Sequence, residues 1–255
     1  MIDTPTNPAS TAPPKGGDLV RRHSVMTRLW HWFNAVVVTV MLMSGLMIFN
    51  AHPRLYWGHY GANPDPSWFD LGLLAAVPFP GWITIPTQYS LSDARLWHLG
   101  FAWLLVVSLL IYLGWALVSG RLWRTLLPRP AELRSRHLWH DIKQHARLRF
   151  PGGAAALSYN VLQKLAYAGV LLVLLPGIVL TGLGMSPAMD AAWPWLLDLL
   201  GGRQSARSLH FLCAAGLVAF FLVHIAMVLL AGPFNELRSM LSGWYRLPPE
   251  REDAP

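Results

Sequence analysis

Four stretches of this chain, residues 28–49, 94–118, 160–183 and 207–231, run to roughly 20 residues of nearly unbroken apolar character, the length a helix needs to cross a hydrocarbon core about 30 Å thick. A strand facing lipid alternates apolar and polar residues with a period of two, whereas these stretches are apolar on every side. Only helices and closed barrels satisfy their backbone groups in lipid, so the expected fold is an all-α membrane protein, a bundle of four transmembrane helices. The low charge fits: 13% of residues are charged, against about 25% in an ordinary soluble domain.

The net charge of +7 could point to nucleic acid, but its placement argues for topology instead. Arg121, Arg124, Arg129, Arg134, Arg136, Lys143, Arg147 and Arg149 lie between the second and third spans, and Lys15, Arg21, Arg22 and Arg28 lie at or before the first. The two opposite loops, 50–93 and 184–206, hold only Arg54 and Arg203, with Arg95 and Arg207 at their membrane borders. The excess of positive residues on one side predicts that both termini are cytoplasmic and that those two loops are external. Residues 1–20, rich in Pro, Thr and Gly, are expected to form a disordered cytoplasmic tail, residues 21–248 the four-helix domain, and residues 249–255 a second tail. The amino end lacks the charged start and short apolar core of a cleaved signal peptide, so the first span is expected to direct membrane insertion itself.

Ionisable residues inside a membrane are costly and usually mark function. His31 lies in the first span, His98 in the second, and His210 and His224 in the fourth. The last two are 14 residues apart, about 21 Å along a helix and about 40° short of four full turns, so they share a face at two depths. With alternating directions of travel, His31 and His224 fall near the cytoplasmic level, and His98 and His210 near the external level. Two imidazoles from different helices at one depth suit an iron held on both sides, which leaves no open position and favours electron transfer. Gly45 follows His31 by the same 14 residues, and is expected to leave room where a porphyrin would press on the first helix. The chain is therefore expected to hold two b-type haems on the pairs His31/His224 and His98/His210.

Other side chains read as structural. Cys213 is the only cysteine, which excludes a disulfide or a cysteine-ligated cluster within the chain. Met43, Met47 and Met185 are apolar filler. His137, His140, Asp141 and His145 do not share one helical face, and with their basic neighbours they suggest an amphipathic segment on anionic headgroups. Pro176 and Gly177 are expected to kink the third span, which carries no histidine and is expected to act in packing. The loop at 50–93, with Trp57, Tyr60, Trp68, Phe69, Trp82 and Tyr89, suggests a surface for lipid or a partner.

The segments RHSVMTRLWHW, RLWHLGFAW, YNVLQKLAY and SLHFLCAAGLVAFFLVH resemble the bacterial cytochrome b family that serves nickel-iron hydrogenases and formate dehydrogenases. The long external loop, HLWHDIKQHARLRFPGG and SPAMDAAWPWLLDLLGGRQSAR are similar to the branch called thiosulfate reductase cytochrome b subunit. The resemblance covers about residues 20–248. It implies haem ligation by His31, His98, His210 and His224, and a quinone site at Tyr159, Asn160, Gln163 and Lys164. It also implies an external molybdenum-cofactor oxidoreductase as partner. The chain is thus expected to be an electron-transfer subunit of an oxidoreductase complex, working between the quinone pool and that partner. The alternatives are a cytochrome subunit of a hydrogenase or formate dehydrogenase, a stand-alone membrane haem oxidase, and a haem-free transporter or scaffold. The last is disfavoured because no span has a central acidic residue.

Overall fold

A computed structural model describes residues 14–147 and 152–249. In chain order the elements are β1 (Leu19–Arg21), α1 (Val25–Asn50), β2 (Arg54–Leu55), β3 (Phe69–Asp70), α2 (Leu91–Val118), α3 (Ser135–Ala146), α4 (Val161–Gly169), α5 (Leu175–Met185), α6 (Pro187–Ala192), α7 (Pro194–Leu199), α8 (Arg203–Ala231), α9 (Pro233–Ser242) and β4 (Trp244–Arg246). Among the described residues, four helical segments are long and apolar enough to cross a membrane: α1, α2, the stretch Ala155–Met185, and α8. Each begins a few residues before the apolar run that marks it. Helix α1 starts early because Ser24 caps it, its hydroxyl accepting the Thr27 N–H at 3.2 Å. At α2, Ser90 accepts the Asp93 N–H at 3.4 Å and donates to the Asp93 carboxylate at 2.8 Å.

The third span is not one regular helix. Between α4 and α5, Val170–Leu174 forms a wider π turn, and Pro176 sits in the first turn of α5. Proline offers no N–H and its ring pushes against the preceding turn, so the expected kink is taken up as a local widening of the helix.

The chain divides into two compact units. The first comprises the residues up to Trp32, Tyr112–Gly169 and those from Phe220 on. There β1 pairs antiparallel with β4, Val20 opposite Tyr245, and Tyr245 packs with Ala156 and Leu247. The tail boundary expected at residue 20 therefore falls inside a ribbon; residues 1–13 and 250–255 lie outside the described residues. Arg22, next to β1, pairs with Glu236 of α9 at 3.0 Å and covers the Tyr245 ring at 4.4 Å.

The second unit comprises Phe33–Ile111 and Val170–Ala219. Its long connection after α1 folds back onto the start of α8. The Gly58 carbonyl accepts the N–H groups of Gln204 and Ser205, at 3.0 and 3.2 Å, and thereby serves the unpaired donors of that helix end. Gly202 makes the approach possible: its φ is +99°, and a Cβ there would lie 2.7 Å from the Gly58 oxygen. Trp68 donates to Ser208 at 3.0 Å, and Ser208 donates to the Tyr56 carbonyl at 2.6 Å. The aromatic loop is thus partly built into the fold, while Tyr60 and Trp82 stay exposed.

Helices α5 and α8 meet through glycine. A Cβ on Gly177 would lie 3.1 Å from Cys213 Sγ, and one on Gly216 would lie 3.1 Å from Leu174. Gly177→Leu is expected to destabilise this unit by about 1–3 kcal/mol through overpacking. Adding Cys213→Ala should restore part of the loss. Thermal unfolding in detergent checks both, and an unchanged midpoint for Gly177→Leu would contradict the packing described.

Candidate functional site: two imidazole pairs

In the second unit, His98 of α2 and His210 of α8 face each other with ring centres 6.1 Å apart and ring planes at 60°. In the first unit, His31 of α1 and His224 of α8 do the same at 6.3 Å and 56°. All four rings are half-buried. Two imidazoles on opposite sides of one first-row metal, each about 2.0–2.1 Å from it, hold their ring centres roughly 6 Å apart. Both pairs have that separation.

The rings of the second unit are held by hydroxyl groups. Ser44, fully buried in α1, donates to the Val40 carbonyl at 2.7 Å and lies 3.1 Å from His98 Nδ1. Because its proton is already engaged, its lone pair accepts the Nδ1–H, and that tautomer leaves Nε2 free as a ligand. Thr181 repeats the arrangement in α5: it donates to the Gly177 carbonyl at 2.7 Å and accepts from His210 Nδ1 at 3.0 Å. Each hydroxyl residue is followed by a glycine. A Cβ on Gly45 would lie 3.4 Å from His98 Cε1, and one on Gly182 would lie 3.4 Å from His210 Cε1. The space that Gly45 leaves is therefore bordered by the His98 ring itself.

The pair of the first unit is framed by aromatic rings instead. Phe220 stacks on His224 with centres 5.8 Å apart at 15°, and Trp32 meets His31 edge-on at 5.0 Å. His31 Nδ1 is buried and has no hydrogen-bond partner. The two pairs thus differ in what stands behind the ring: a hydroxyl acceptor in one, a bare buried nitrogen in the other.

The family described as prokaryotic cytochrome b561 matches residues 22–243. The chain belongs to that family. It is a multi-pass membrane protein that binds b-type haem and carries electrons. A relative from Azospira oryzae, YedZ1, is 33% identical over 82% of this chain and 90% of its own length, and its name assigns it to a protein-methionine-sulfoxide reductase. Chains named as Ni/Fe-hydrogenase B-type cytochrome subunits are similar too. Those from Azotobacter vinelandii and Cupriavidus necator are each 23% identical, over 89% and 94% of this chain and 88% and 93% of their own lengths. No solved structure matches.

Other expected site residues of this cytochrome b561 chain are engaged with one another. The Asn160 side chain accepts the Gln163 N–H at 2.9 Å, and the Gln163 side chain reaches back to the Asn160 N–H at 3.3 Å. The two form a capping box at the start of α4. Tyr159 sits edge-on to Tyr167 at 5.3 Å. Lys164, only 9% exposed, donates to both carboxylate oxygens of Glu132 at 2.7 and 2.8 Å. Asp141 of α3 accepts the Val161 N–H at 3.1 Å, which places a negative charge at the start of α4. Among the described residues no group of three metal-ligating side chains gathers.

Burial works against ionisation of Glu132, but the Lys164 ammonium and the Arg129 N–H outweigh it and hold this carboxyl below its ordinary range. A lowered folded value means that the folded state binds the proton less readily. The stabilisation is then present above about 4.5, the ordinary value, and is lost as pH falls through the folded value. Glu132→Ala is expected to lower stability at pH 7 by about 1–3 kcal/mol, since it leaves a nearly buried ammonium unpaired, discounted for the partial exposure of the carboxylate. The gap between variant and wild type should close in acid. Melting curves at pH 7 and below pH 4 test this; a gap of equal size at both would contradict it.

Proposed function

We propose that this chain is a di-haem cytochrome b that carries electrons between membrane quinone and an external reductase. The observation that carries the reading is the presence of two imidazole pairs, at 6.1 and 6.3 Å, in a chain of a haem-binding family. His31 and His224 would hold one haem, and His98 and His210 the other. Each imidazole pair would hold its haem from two different helices, and the haem would supply a one-electron iron couple suited to electron transfer. Ser44 and Thr181 fix the Nδ1–H tautomer of their histidines and aim Nε2 inward. In the other pair, Trp32 and Phe220 pack against His31 and His224 and hold the rings in place. The placement of basic residues supports cytoplasmic termini, with His31/His224 on the cytoplasmic side, in a bacterial inner membrane.

The quinone site we propose lies at the start of the third span, around Tyr159, Asn160, Gln163 and Lys164. Lys164 is the residue able to answer a quinone carbonyl, and it would have to exchange Glu132 for it. For the partner we favour an external molybdenum-cofactor reductase. The likeness of the outer loop to the thiosulfate reductase branch supports it, as does the stronger match to a chain named for a reductase than to chains named for hydrogenases. A hydrogenase partner is the second reading, motivated by several relatives of that name.

The test is rapid mixing of the purified chain with a quinol analogue, followed by addition of the proteins encoded beside it and of candidate oxidants. The reading expects haem reduction by quinol, slowed at least tenfold by Lys164→Ala, and reoxidation only with a partner reductase and its oxidant, thiosulfate or a methionine sulfoxide. Reduction by hydrogen through a partner would favour the hydrogenase reading. Reoxidation without any partner would overturn both.

A further inference from the structure

The first unit gathers positive charge next to the His31/His224 pair, and the carboxylate of Glu236 answers only part of it. His23, 7% exposed, has a buried Nδ1 with no hydrogen-bond partner, and the buried Nε groups of Arg22, Arg28 and Arg121 have none either. His23 and Arg28 meet over the same glycine: a Cβ on Gly243 would lie 3.2 Å from the His23 carbonyl oxygen and 3.5 Å from the Arg28 guanidinium. Arg28 itself donates to the Leu241 carbonyl at 2.6 Å. Tyr112 joins the far side, hydrogen-bonded to Thr27 and Arg121, and stacks on Trp30 with centres 4.1 Å apart. Burial, and then the charges of Arg22, Arg121, His31 and Arg28, push His23 down to about 3.

Glu236 answers only part of this charge, because both of its oxygens are taken by Arg22 at 3.0 Å. Arg28 and Arg121 remain, two guanidinium groups with donors buried and unused. Leaving such donors without an acceptor is costly, and guanidinium pairs best with carboxylate or phosphate. A b-type haem carries two propionate carboxylates. The spacing along α1 suits this as well: Arg28 precedes His31 by three residues, one turn of the same helical face. Arg95 stands in the same relation to His98, and Arg207 to His210.

We propose that Arg28, Arg121 and His23 form the seat for the two propionates of the haem held by His31 and His224. The inference rests on the di-haem reading. The arginines supply the charge, and His23, with its buried Nδ1 unpartnered, supplies one more hydrogen-bonding group. A phospholipid phosphate has the same hydrogen-bonding chemistry and is the competing occupant.

The experiment is a spectroscopic redox titration of the full chain in nanodiscs of phosphatidylcholine alone and of phosphatidylcholine with phosphatidylglycerol. Wild type, Arg28→Gln, Arg121→Gln and Arg28→Lys are compared. Loss of a positive charge beside the haem favours the oxidised iron. The expected result for both Gln variants is a lower midpoint potential for one haem in both lipids, with the second haem unchanged and the low-spin bis-imidazole spectrum kept. Arg28→Lys should stay close to wild type. Unchanged potentials in both Gln variants would overturn the proposal, as would a shift that appears only with phosphatidylglycerol. A wild type without two low-spin haems would instead defeat the di-haem reading, which separates the two failures.

Discussion

Purified His98→Ala is expected to contain one haem where the wild type contains two, and His224→Ala is expected to lose the other one. Each substitution leaves a single imidazole where two faced each other, at 6.1 Å in one pair and 6.3 Å in the other. A five-coordinate haem held by one ring in a half-buried site lacks most of what retains it, because a non-covalent haem depends on its axial bonds and on shape. The pairs lie in separate compact units, so the loss should be local. Pyridine haemochrome counts per polypeptide, with reduced-minus-oxidised spectra of the two variants, decide it. Loss of the same spectral component from both, or retention of two haems by either, would contradict the pairing.

Ser44→Ala and Thr181→Val should each act on one haem only, and on the same one. The hydroxyl groups accept the Nδ1–H of His98 and His210 at 3.1 and 3.0 Å. An acceptor behind an imidazole makes its other nitrogen a stronger donor to iron and stabilises the oxidised state. Removing it should therefore raise the midpoint potential of that haem. Its affinity should fall about 10–100-fold, the usual effect of losing a group that supports a metal ligand. The haem of the His31/His224 pair should not respond, because His31 Nδ1 has no such acceptor to lose. Redox titration and competition with an apo-haem acceptor measure both quantities. Equal shifts in the two haems, or none, would contradict this role.

How much of this was legible in the sequence depends on the range of the forces involved. Hydropathy alone marks the four spans, since twenty apolar residues have few other uses. The helix ends are less legible: α1 and α2 begin at Val25 and Leu91 because Ser24 and Ser90 cap them, and α8 begins at Arg203 where the Gly58 carbonyl meets its first N–H groups. Helix rise and direction of travel suggest the pairs His31/His224 and His98/His210, and the rings of each pair face each other in the structure. What stands behind those rings was not foreseen. The third span, read as packing because it lacks histidine, supplies Thr181. The signal was present in Ser44-Gly45 and Thr181-Gly182, a hydroxyl residue followed by glycine, but a dipeptide acquires meaning only when another helix faces it. Similarly, nothing near Lys164 announces Glu132, which lies 32 residues earlier and is joined to it by tertiary contact. The folding of the long loop after α1 also depends on distant partners, Ser205 and Ser208.

The most direct test of the account is the haem content of the wild-type chain purified in detergent, counted per polypeptide and read with its reduced-minus-oxidised and electron paramagnetic resonance spectra. The account predicts two non-covalent b-type haems per chain, both low-spin with bis-imidazole signatures. One haem or none after growth with ample haem precursor, or a high-spin centre that binds carbon monoxide, would contradict it.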